Sequence, residues 1–317
     1  MEKIAGLLPT MDNFLIISHV SADGDTLGSG VALSLALKRL GKQCWNGLDG
    51  KVPAKYDIIT QGIAFLTPEE AAEKEFGCII AIDCGDLARL GGFQRLFRGH
   101  ACTVNIDHHG TNEGYAKYNY VESCGATGML IYRLISMLGI EPDGAMADAL
   151  YAAISTDTGN FTYSNTDAAA LDAAARLRQA GADIPRLAER IYRRRSLGAT
   201  RLIGLACQRI RLFDEGRIGM TYVLMRDYKA TGAQKEDCDE LINYVREIDT
   251  VEIGFFLRQI GAKDFKVSLR SCQYADVAQA AKELNGGGHR MAAGGRVEAE
   301  SLDAAVEIVL SAVRKQL

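Results

Sequence analysis

Three short apolar runs, each ending in a histidine or an aspartate, constrain the fold of this chain most. The run at residues 77–83 is apolar on both faces, which is typical of a strand that is buried on both sides of a sheet. The strand candidates are residues 13–19 (NFLIISH), 77–83 (GCIIAID) and 102–107 (CTVNID), and helix candidates lie at 26–40, 126–138, 146–154 and 167–181. This alternation predicts an α/β domain whose parallel sheet carries helices on both faces.

The second half of the chain has a different rhythm. Pairs of short apolar runs flank turn-forming residues and predict two hairpins, with helical stretches after them. The hairpins span 210–224 and 251–270, and helices are expected at 235–248, at 275–284 and after Ser301, a candidate cap. We therefore expect a catalytic domain at residues 1–185, a helical connector at 186–203 and a smaller α/β domain with a mixed sheet at 204–317.

Composition excludes several classes of protein. The formal net charge of −4 argues against a protein that coats long nucleic acid, which usually needs a basic excess. None of the eight cysteines has Cys-x-x-Cys spacing, so a structural zinc site or a dithiol redox motif is not expected. The chain shows neither a signal peptide nor an apolar run of about 18 residues, the length that a membrane span needs. A cytoplasmic protein is the simplest interpretation.

Acids and histidines collect at the ends of the predicted strands and of one helix. Singly, each has a bland explanation as a helix cap, a turn residue or a strand end. In a parallel sheet, however, these positions meet at one functional edge. The residues are His19, Asp23, Asp25, Asp83, Asp107, His108, His109 and Asp157. Together they predict a metal site.

The types of these side chains indicate the metal. Carboxylates with imidazoles and no thiolate suit Mn²⁺ or Mg²⁺, and Co²⁺ is also compatible. Six candidate ligands are more than one ion needs and suit two divalent ions about 3.5 to 4 Å apart. Such a pair generates a hydroxide near neutral pH and offsets charge on a phosphoryl group. The pattern therefore favours hydrolysis of a phosphate ester.

A run of three glycines before His289 is the main polar feature of the second half. Consecutive glycines let backbone amides approach an anion closely, although a flexible turn is the simpler alternative. Arg270 ends a predicted strand and could bind phosphate through its planar fork, or form a surface ion pair. Gly125 and Thr127 precede a helix whose N-terminus favours an anion, which is a weak signal because threonine often only caps a helix.

These segments, taken in order, resemble the DHH phosphoesterase superfamily. The similar segments are HVSADGDTLGS, AIDCGD, NIDHHG and ISTDTGNF, followed by LRS and GGGHRMAAGG, which resemble the DHH-associated domain. The resemblance implies metal ligation by His19, Asp23, Asp25, Asp83, His108 and Asp157. It also implies that Asp83 bridges the ions, that His109 faces the substrate and that Asp107 orients the histidines.

The same resemblance implies a substrate-binding role for the second domain. The residues expected to hold a terminal nucleotide are Arg270, Ser271, Gly286, Gly287, Gly288 and His289. Chain length and the GGGH segment are similar to the NrnA-type branch. That branch acts on short oligoribonucleotides and dinucleotides, and adenosine 3′,5′-bisphosphate is a further candidate substrate. Arg290-Met291 departs from the usual continuation after GGGH, which leaves the substrate open.

Two rival functions use the same residues. One is hydrolysis of cyclic di-AMP or of its linear product pApA, and the other is nucleotide binding by a regulator that has lost catalysis. The intact ligand set argues against the regulator. Under the leading hypothesis the partners are short RNA, a dinucleotide or a nucleoside bisphosphate, with no long duplex and no membrane. A homodimer is compatible with it.

Overall fold

The computed structural model describes residues 1–238 and 240–317, and it divides the chain into two compact units. The first unit is Met1–Arg194 and the second is Arg195–Leu317. The proposed connector, residues 186–203, straddles this division. A helix at Leu197–Gln208 starts inside the proposed connector, extends beyond residue 203 and is the first helix of the second unit.

The first unit contains six strands and nine α-helices among its described residues. The strands are β1 (Phe14–Ser18), β2 (Cys44–Leu48), β3 (Phe65–Leu66), β4 (Cys78–Ile82), β5 (Thr103–Asp107) and β6 (Tyr118–Val121). The helices are α1 (Glu2–Leu7), α2 (Gly24–Arg39), α3 (Asp57–Thr60), α4 (Pro68–Ala72), α5 (Gln94–Gly99), α6 (Thr127–Met137), α7 (Gly144–Asp157), α8 (Ala168–Gln179) and α9 (Ile184–Ala188).

All six strands are parallel, in the order β3-β2-β1-β4-β5-β6. Successive residues of β1 point to opposite faces, so Ile16 joins the core formed with α2, α6 and α7, while Leu15 joins a smaller core with Phe93 and Phe97. The predicted parallel sheet with helices on both faces is confirmed. The central strands β1, β4 and β5 are the three apolar runs of the sequence.

Helix α2 packs closely against α7 because glycines line the contact. A Cβ atom at Gly28 would lie 2.3 Å from the carbonyl oxygen of Ala149, and one at Gly24 would lie 2.4 Å from Oγ1 of Thr156. Only glycine permits this approach. The contact places the beginning of α2 beside the end of α7.

Among its described residues, the second unit also contains six strands, and it is built around a mixed sheet. The strands are β7 (Arg211–Phe213), β8 (Ile218–Val223), β9 (Ile253–Gln259), β10 (Asp264–Ser271), β11 (Gly287–His289) and β12 (Ala292–Glu298). The helices are α10 (Leu197–Gln208), α11 (Met225–Thr231), α12 (Leu241–Arg246), α13 (Val277–Glu283) and α14 (Leu302–Val313).

The second sheet has the order β11-β12-β10-β9-β8-β7, and only β8 and β9 pair in parallel among its described pairs. Both predicted hairpins, β7–β8 and β9–β10, are present. Helices α13 and α14 cover one core of this sheet, while α10 and α12 contribute to another. The predicted α/β unit with a mixed sheet is confirmed, and Ser301 caps α14 by accepting from Ala304 N–H.

Three local predictions are wrong. The glycine run is not a loop, because Gly287–His289 form β11 and pair with β12. Asp157 lies in the last turn of α7 and not in a loop after it. In place of one helix at 235–248, the structure has a 3₁₀ turn at Lys235–Cys238 and α12 at Leu241–Arg246. Residue 239 of that expected helix lies outside the described residues.

Membrane insertion can be examined directly from helix length and hydropathy. Across residues 1–238 and 240–317, none of the helices combines the length and the apolar character that a membrane crossing requires.

Substitutions at two glycines of α2 test the packing of α2 on α7. We predict that Gly28→Ala lowers the free energy of unfolding by about 1–3 kcal/mol, because the added methyl group meets backbone of α7. Gly30→Ala is the matched control, since its Cβ would make ordinary 3.5 Å contacts with Ile16 and Ser18. That variant should be neutral or up to about 1 kcal/mol more stable, as alanine favours helix. Urea denaturation measures both, and equal stability of the two variants would contradict the packing argument.

Candidate metal centre

The carboxyl ends of three adjacent strands and two helix ends converge on one cluster. His19 follows β1, Asp83 follows β4, and His108 and His109 follow β5. Asp23 caps the N-terminus of α2 and Asp25 lies in its first turn, while Asp157 lies in the last turn of α7. The structure therefore brings together all eight polar residues that the sequence pattern predicts at this edge, including Asp107 at the end of β5.

Asp83 lies at the middle of the cluster. Its carboxylate oxygens are 3.7 Å from His19 Nε2, 3.6 Å from His108 Nε2 and 3.7 Å from His109 Nδ1, and the Thr127 hydroxyl donates to it at 2.9 Å. The backbone of Asp83 is left-handed, with φ +58°. A non-glycine residue adopts this conformation only when its surroundings hold it there. The strained turn aims the buried carboxylate at three imidazoles.

His19 is a buried imidazole immediately after β1. Neither of its ring nitrogens has a hydrogen-bond partner among the described residues, and Nε2 lies 3.6 Å from the Asp23 carboxylate. Burial disfavours the charged ring, but the carboxylates of Asp23 and Asp83 outweigh this effect and raise the pKa of His19 to about 9. A buried polar atom without a partner raises the free energy of the fold, so a ligand bound at Nε2 would be stabilising.

His108 is oriented by a backbone contact. Its Nδ1 lies 3.0 Å from the carbonyl oxygen of Cys124, so the Nδ1–H tautomer donates there. Nε2 is then left as a lone pair, 3.6 Å from Asp83 and 3.5 Å from Asp157. Burial and the nearby Asp83 carboxylate help raise the pKa of Asp157 to about 6.

Asp25 joins two helices through a fully buried carboxylate. It accepts from Thr127 N–H at 2.6 Å, from Gly128 N–H at 2.8 Å and from the Ser29 hydroxyl at 3.0 Å. The N-terminus of α6, which the sequence indicates weakly as an anion site, thus holds the carboxylate of Asp25. Burial and the carboxylates of Asp83 and Asp157 raise the pKa of Asp25 well above its usual value.

Ligating atoms are close enough together to share cations. In each of three groups, one atom from every residue lies within 4.8 Å of the others. The groups are His19, Asp23 and Asp83; Asp83, His108 and His109; and Asp25, His108 and Asp157. The groups contain the four carboxylates of Asp23, Asp25, Asp83 and Asp157, and this crowding of negative charge is electrostatically costly without positive charge. The side chains therefore fit divalent cations, with Asp83 and His108 each shared between two groups.

His109 is held by a network of hydrogen bonds, and the sequence patterns indicate only some of its members. Its Nδ1–H donates to Asp107 at 2.7 Å, and this hydrogen bond raises the pKa of His109 despite partial burial. Asp107 also accepts from the Asn112 amide at 2.6 Å, which in turn donates to Asn105 at 2.7 Å. Asn112 is a functional candidate that the sequence reading did not single out. Its place in the turn after two adjacent histidines was the available signal.

The substrate residues expected in the second unit lie on its β10 and β11 strands, except Gly286, which immediately precedes β11. Arg270 pairs with Ala292 across β10 and β12, and His289 is exposed at the end of β11. Ser271 is buried, and its hydroxyl donates to the carbonyl oxygen of Arg290 at 3.4 Å, so it supports the fold locally.

Close packing also explains why glycines occupy two positions of the run before His289. A Cβ atom at Gly286 would lie 2.0 Å from the Gly294 carbonyl oxygen, and one at Gly288 would lie 2.6 Å from Cα of Ala293. Gly287, by contrast, faces open space. Two of the three glycines are therefore needed for close strand packing, whatever else the segment binds.

Comparison with protein families places both halves of the chain. Residues 13–154 match the DHH family, N-terminal domain, and residues 219–315 match the DHHA1 domain. A bifunctional oligoribonuclease and PAP phosphatase NrnA from Thermus thermophilus is 32% identical over 100% of this chain and 94% of its own length. The Bacillus subtilis protein of the same name is 24% identical, with 90% of each chain covered.

Solved structures agree in fold. An exopolyphosphatase-related protein from Bacteroides fragilis superimposes with a TM-score of 0.93 at 24% identity, covering 99% of this chain and 95% of that one. A RecJ exonuclease bound to manganese superimposes with a TM-score of 0.54 at 15% identity, covering 99% of this chain and 93% of that one.

Fold and cluster together define a hydrolase of phosphoester bonds with a site for divalent cations. The chain belongs to the DHH phosphoesterase family, in the group that carries a C-terminal DHHA1 domain and is similar to NrnA over its full length.

The raised pKa of His19 predicts a pH-dependent stability of the metal-free protein. The folded pKa of about 9 lies above the ordinary value of 6.5, so the protonated ring stabilises the fold fully below pH 6.5. That contribution is lost as pH rises through about 9. Denaturation in the presence of a chelator should show a steeper loss of unfolding free energy over this window for wild type than for His19→Asn.

His289→Asn serves as the control, because it removes an exposed histidine of the other unit. It should keep the wild-type slope. If the unfolding free energies of wild type and His19→Asn fell equally with pH, the conclusion that Asp23 and Asp83 stabilise a protonated His19 ring would be wrong.

Proposed function

We propose that this chain is a manganese-dependent phosphodiesterase that releases mononucleotides from dinucleotides and short oligoribonucleotides, with adenosine 3′,5′-bisphosphate as a further substrate. The cluster around Asp83 carries the proposal, because the three groups that the described residues form there consist of carboxylates and imidazoles. Similarity over the full chain to an enzyme named oligoribonuclease and PAP phosphatase supports the substrate class. A cytoplasmic location and a homodimer belong to the same proposal, and light scattering after gel filtration tests the dimer.

We assign the metal ligands to six side chains. They are His19, Asp23, Asp25, Asp83, His108 and Asp157. The unpaired Nε2 of buried His19 and the crowded carboxylates are the observations that fit cations. When bound, two divalent ions supply a hydroxide near neutral pH and offset charge on the phosphoryl oxygens. Asp83 is the proposed bridging residue because it belongs to two of the three groups.

His109 is the proposed substrate-facing residue. Its Nδ1–H is held by Asp107, so Nε2 is left to face a phosphoryl or leaving-group oxygen. The raised pKa of His109 favours the imidazolium, which donates a hydrogen bond from Nε2 and stabilises negative charge as the ester bond breaks. Asp107 acts by orienting that ring and keeping it charged.

The second unit has a binding role in the proposal. Arg270 offers a planar fork for phosphate, and His289 and Gly287 are exposed beside each other on β11. Gly286, Gly288 and Ser271 shape this surface by packing. We propose that these residues hold the terminal nucleotide and that the first unit carries out the hydrolysis.

A substrate panel tests the function directly. Purified full-length protein with Mn²⁺ should release mononucleotide fastest from RNA dinucleotides, more slowly from a decanucleotide, and least from DNA of the same lengths. The panel includes cyclic di-AMP, pApA and the bisphosphate. Faster hydrolysis of cyclic di-AMP or pApA than of the other substrates would favour the rival function, a di-adenylate phosphodiesterase. Release of no product from RNA dinucleotide or from bisphosphate would overturn the proposal, and binding without turnover would indicate a regulator.

Substitutions in the cluster separate ligands from supporting residues. We predict that Asp83→Ala reduces kcat on the dinucleotide below detection, because Asp83 belongs to two of the three groups and its carboxylate would hold both ions. Asp107→Asn should reduce kcat by about 10- to 100-fold, as loss of a residue that orients a neighbouring imidazole does. Asp86→Asn is the control, since Asp86 caps a short helix by accepting from Arg89 N–H and lies outside the three groups.

The control variant should keep wild-type turnover. If Asp83→Ala retained activity comparable to that of Asp86→Asn, the bridging assignment would be wrong.

A further inference from the structure

The segment after α7 has an unusual backbone. Gly159, Asn160 and Phe161 follow one another with φ values of +58°, +55° and +64°. Glycine and asparagine tolerate this left-handed region, but phenylalanine rarely adopts it. A strained turn of this kind persists only where its surroundings hold it in place. It begins two residues after Asp157.

Hydrogen bonds hold the turn against the metal cluster. Tyr163 N–H donates to the Thr158 carbonyl oxygen at 3.0 Å, which fixes the chain after the turn. The Asn165 amide donates to the carbonyl oxygens of Asp157 at 3.1 Å and of Gly125 at 3.0 Å. The Phe161 ring packs inward against Tyr151, at a centroid distance of 5.8 Å. The segment is therefore rigidly attached to the ligand-bearing end of α7.

The turn places the Tyr163 ring over a glycine. A Cβ atom at Gly159 would lie 2.4 to 2.5 Å from Cε1, Cζ and Cε2 of that ring, so any larger residue would displace it. The ring thus rests on the backbone of Gly159, and Tyr163 is 46% exposed. An exposed aromatic ring with one side supported by a rigid backbone is suited to stacking on a planar ligand.

We propose that Tyr163 is a stacking platform for a nucleobase of the substrate. This inference rests on the proposed nucleotide hydrolysis. The ring lies over Gly159, two residues after the proposed ligand Asp157, so we expect it to meet the base of a nucleotide whose phosphate is bound at the cluster. Stacking recognises any base through its π-face, so the platform contributes affinity and positioning without selecting a sequence. The platform distinguishes nucleotides from phosphate esters that lack a base.

A cycle of protein and substrate changes tests the stack. The substrates are an RNA dinucleotide and its two single-abasic analogues, each assayed with Mn²⁺ for KM and kcat separately. Tyr163→Leu should raise KM for the intact dinucleotide by about 5- to 150-fold, the range that loss of one base–aromatic stack corresponds to, with a smaller effect on kcat. On one of the abasic analogues, the same substitution should change KM little. Tyr163→Phe should retain the wild-type KM.

The control is Leu171→Ala, which truncates an exposed apolar side chain on α8 of the same unit. It should leave both constants unchanged. Equal KM values for wild type and Tyr163→Leu, or the same KM increase on the intact dinucleotide and on both abasic analogues, would overturn the platform. Failure of wild type to cleave any of these substrates would instead overturn the proposed function, so the two failures are distinguishable.

Discussion

The close contact between α2 and α7 is the constraint on which the catalytic edge depends. Gly24 and Gly28 remove the side chains that would separate these helices, so the start of one lies beside the end of the other. Asp25 in the first turn of α2 then comes within reach of Asp157 in the last turn of α7. The same carboxylate of Asp25 accepts from the N-terminus of α6, so one buried acid joins α2 to α6 beside the site.

Crowded negative charge is the second constraint. Burial and neighbouring carboxylates raise the pKa of Asp25 and of Asp157, which means that the metal-free cluster favours protons. Divalent cations remove the same repulsion without protonation. Imidazole rings add neutral ligands, and the contact of His108 with the Cys124 carbonyl oxygen presents a lone pair to the cluster. Bound divalent cations would offset the negative charge that develops when a phosphorus atom is attacked.

Much of the fold and of the cluster was predictable because both follow from local patterns. Apolar runs identified β1, β4 and β5, and polar residues at their carboxyl ends identified the edge at which they meet. Patterns failed where a distant partner decides the conformation. Gly287–His289 pair with β12, and glycines that looked suited to an anion are also needed for close strand contact. Sequence patterns did not indicate Asn112 or Tyr163, because asparagine and tyrosine are common in loops that have no role in binding or catalysis.

The sequence by itself determined the class of the fold, the identity of the polar residues at the sheet edge and the preference for divalent cations. Residue type, strand periodicity and the direction of parallel strands suffice for these conclusions. Tertiary structure decided which carboxylate lies at the centre, which helix end Asp25 occupies and where the Tyr163 ring rests. Those features depend on backbone geometry, such as the left-handed φ of Asp83 and the approach of α2 to α7, and on contacts between residues far apart in the chain.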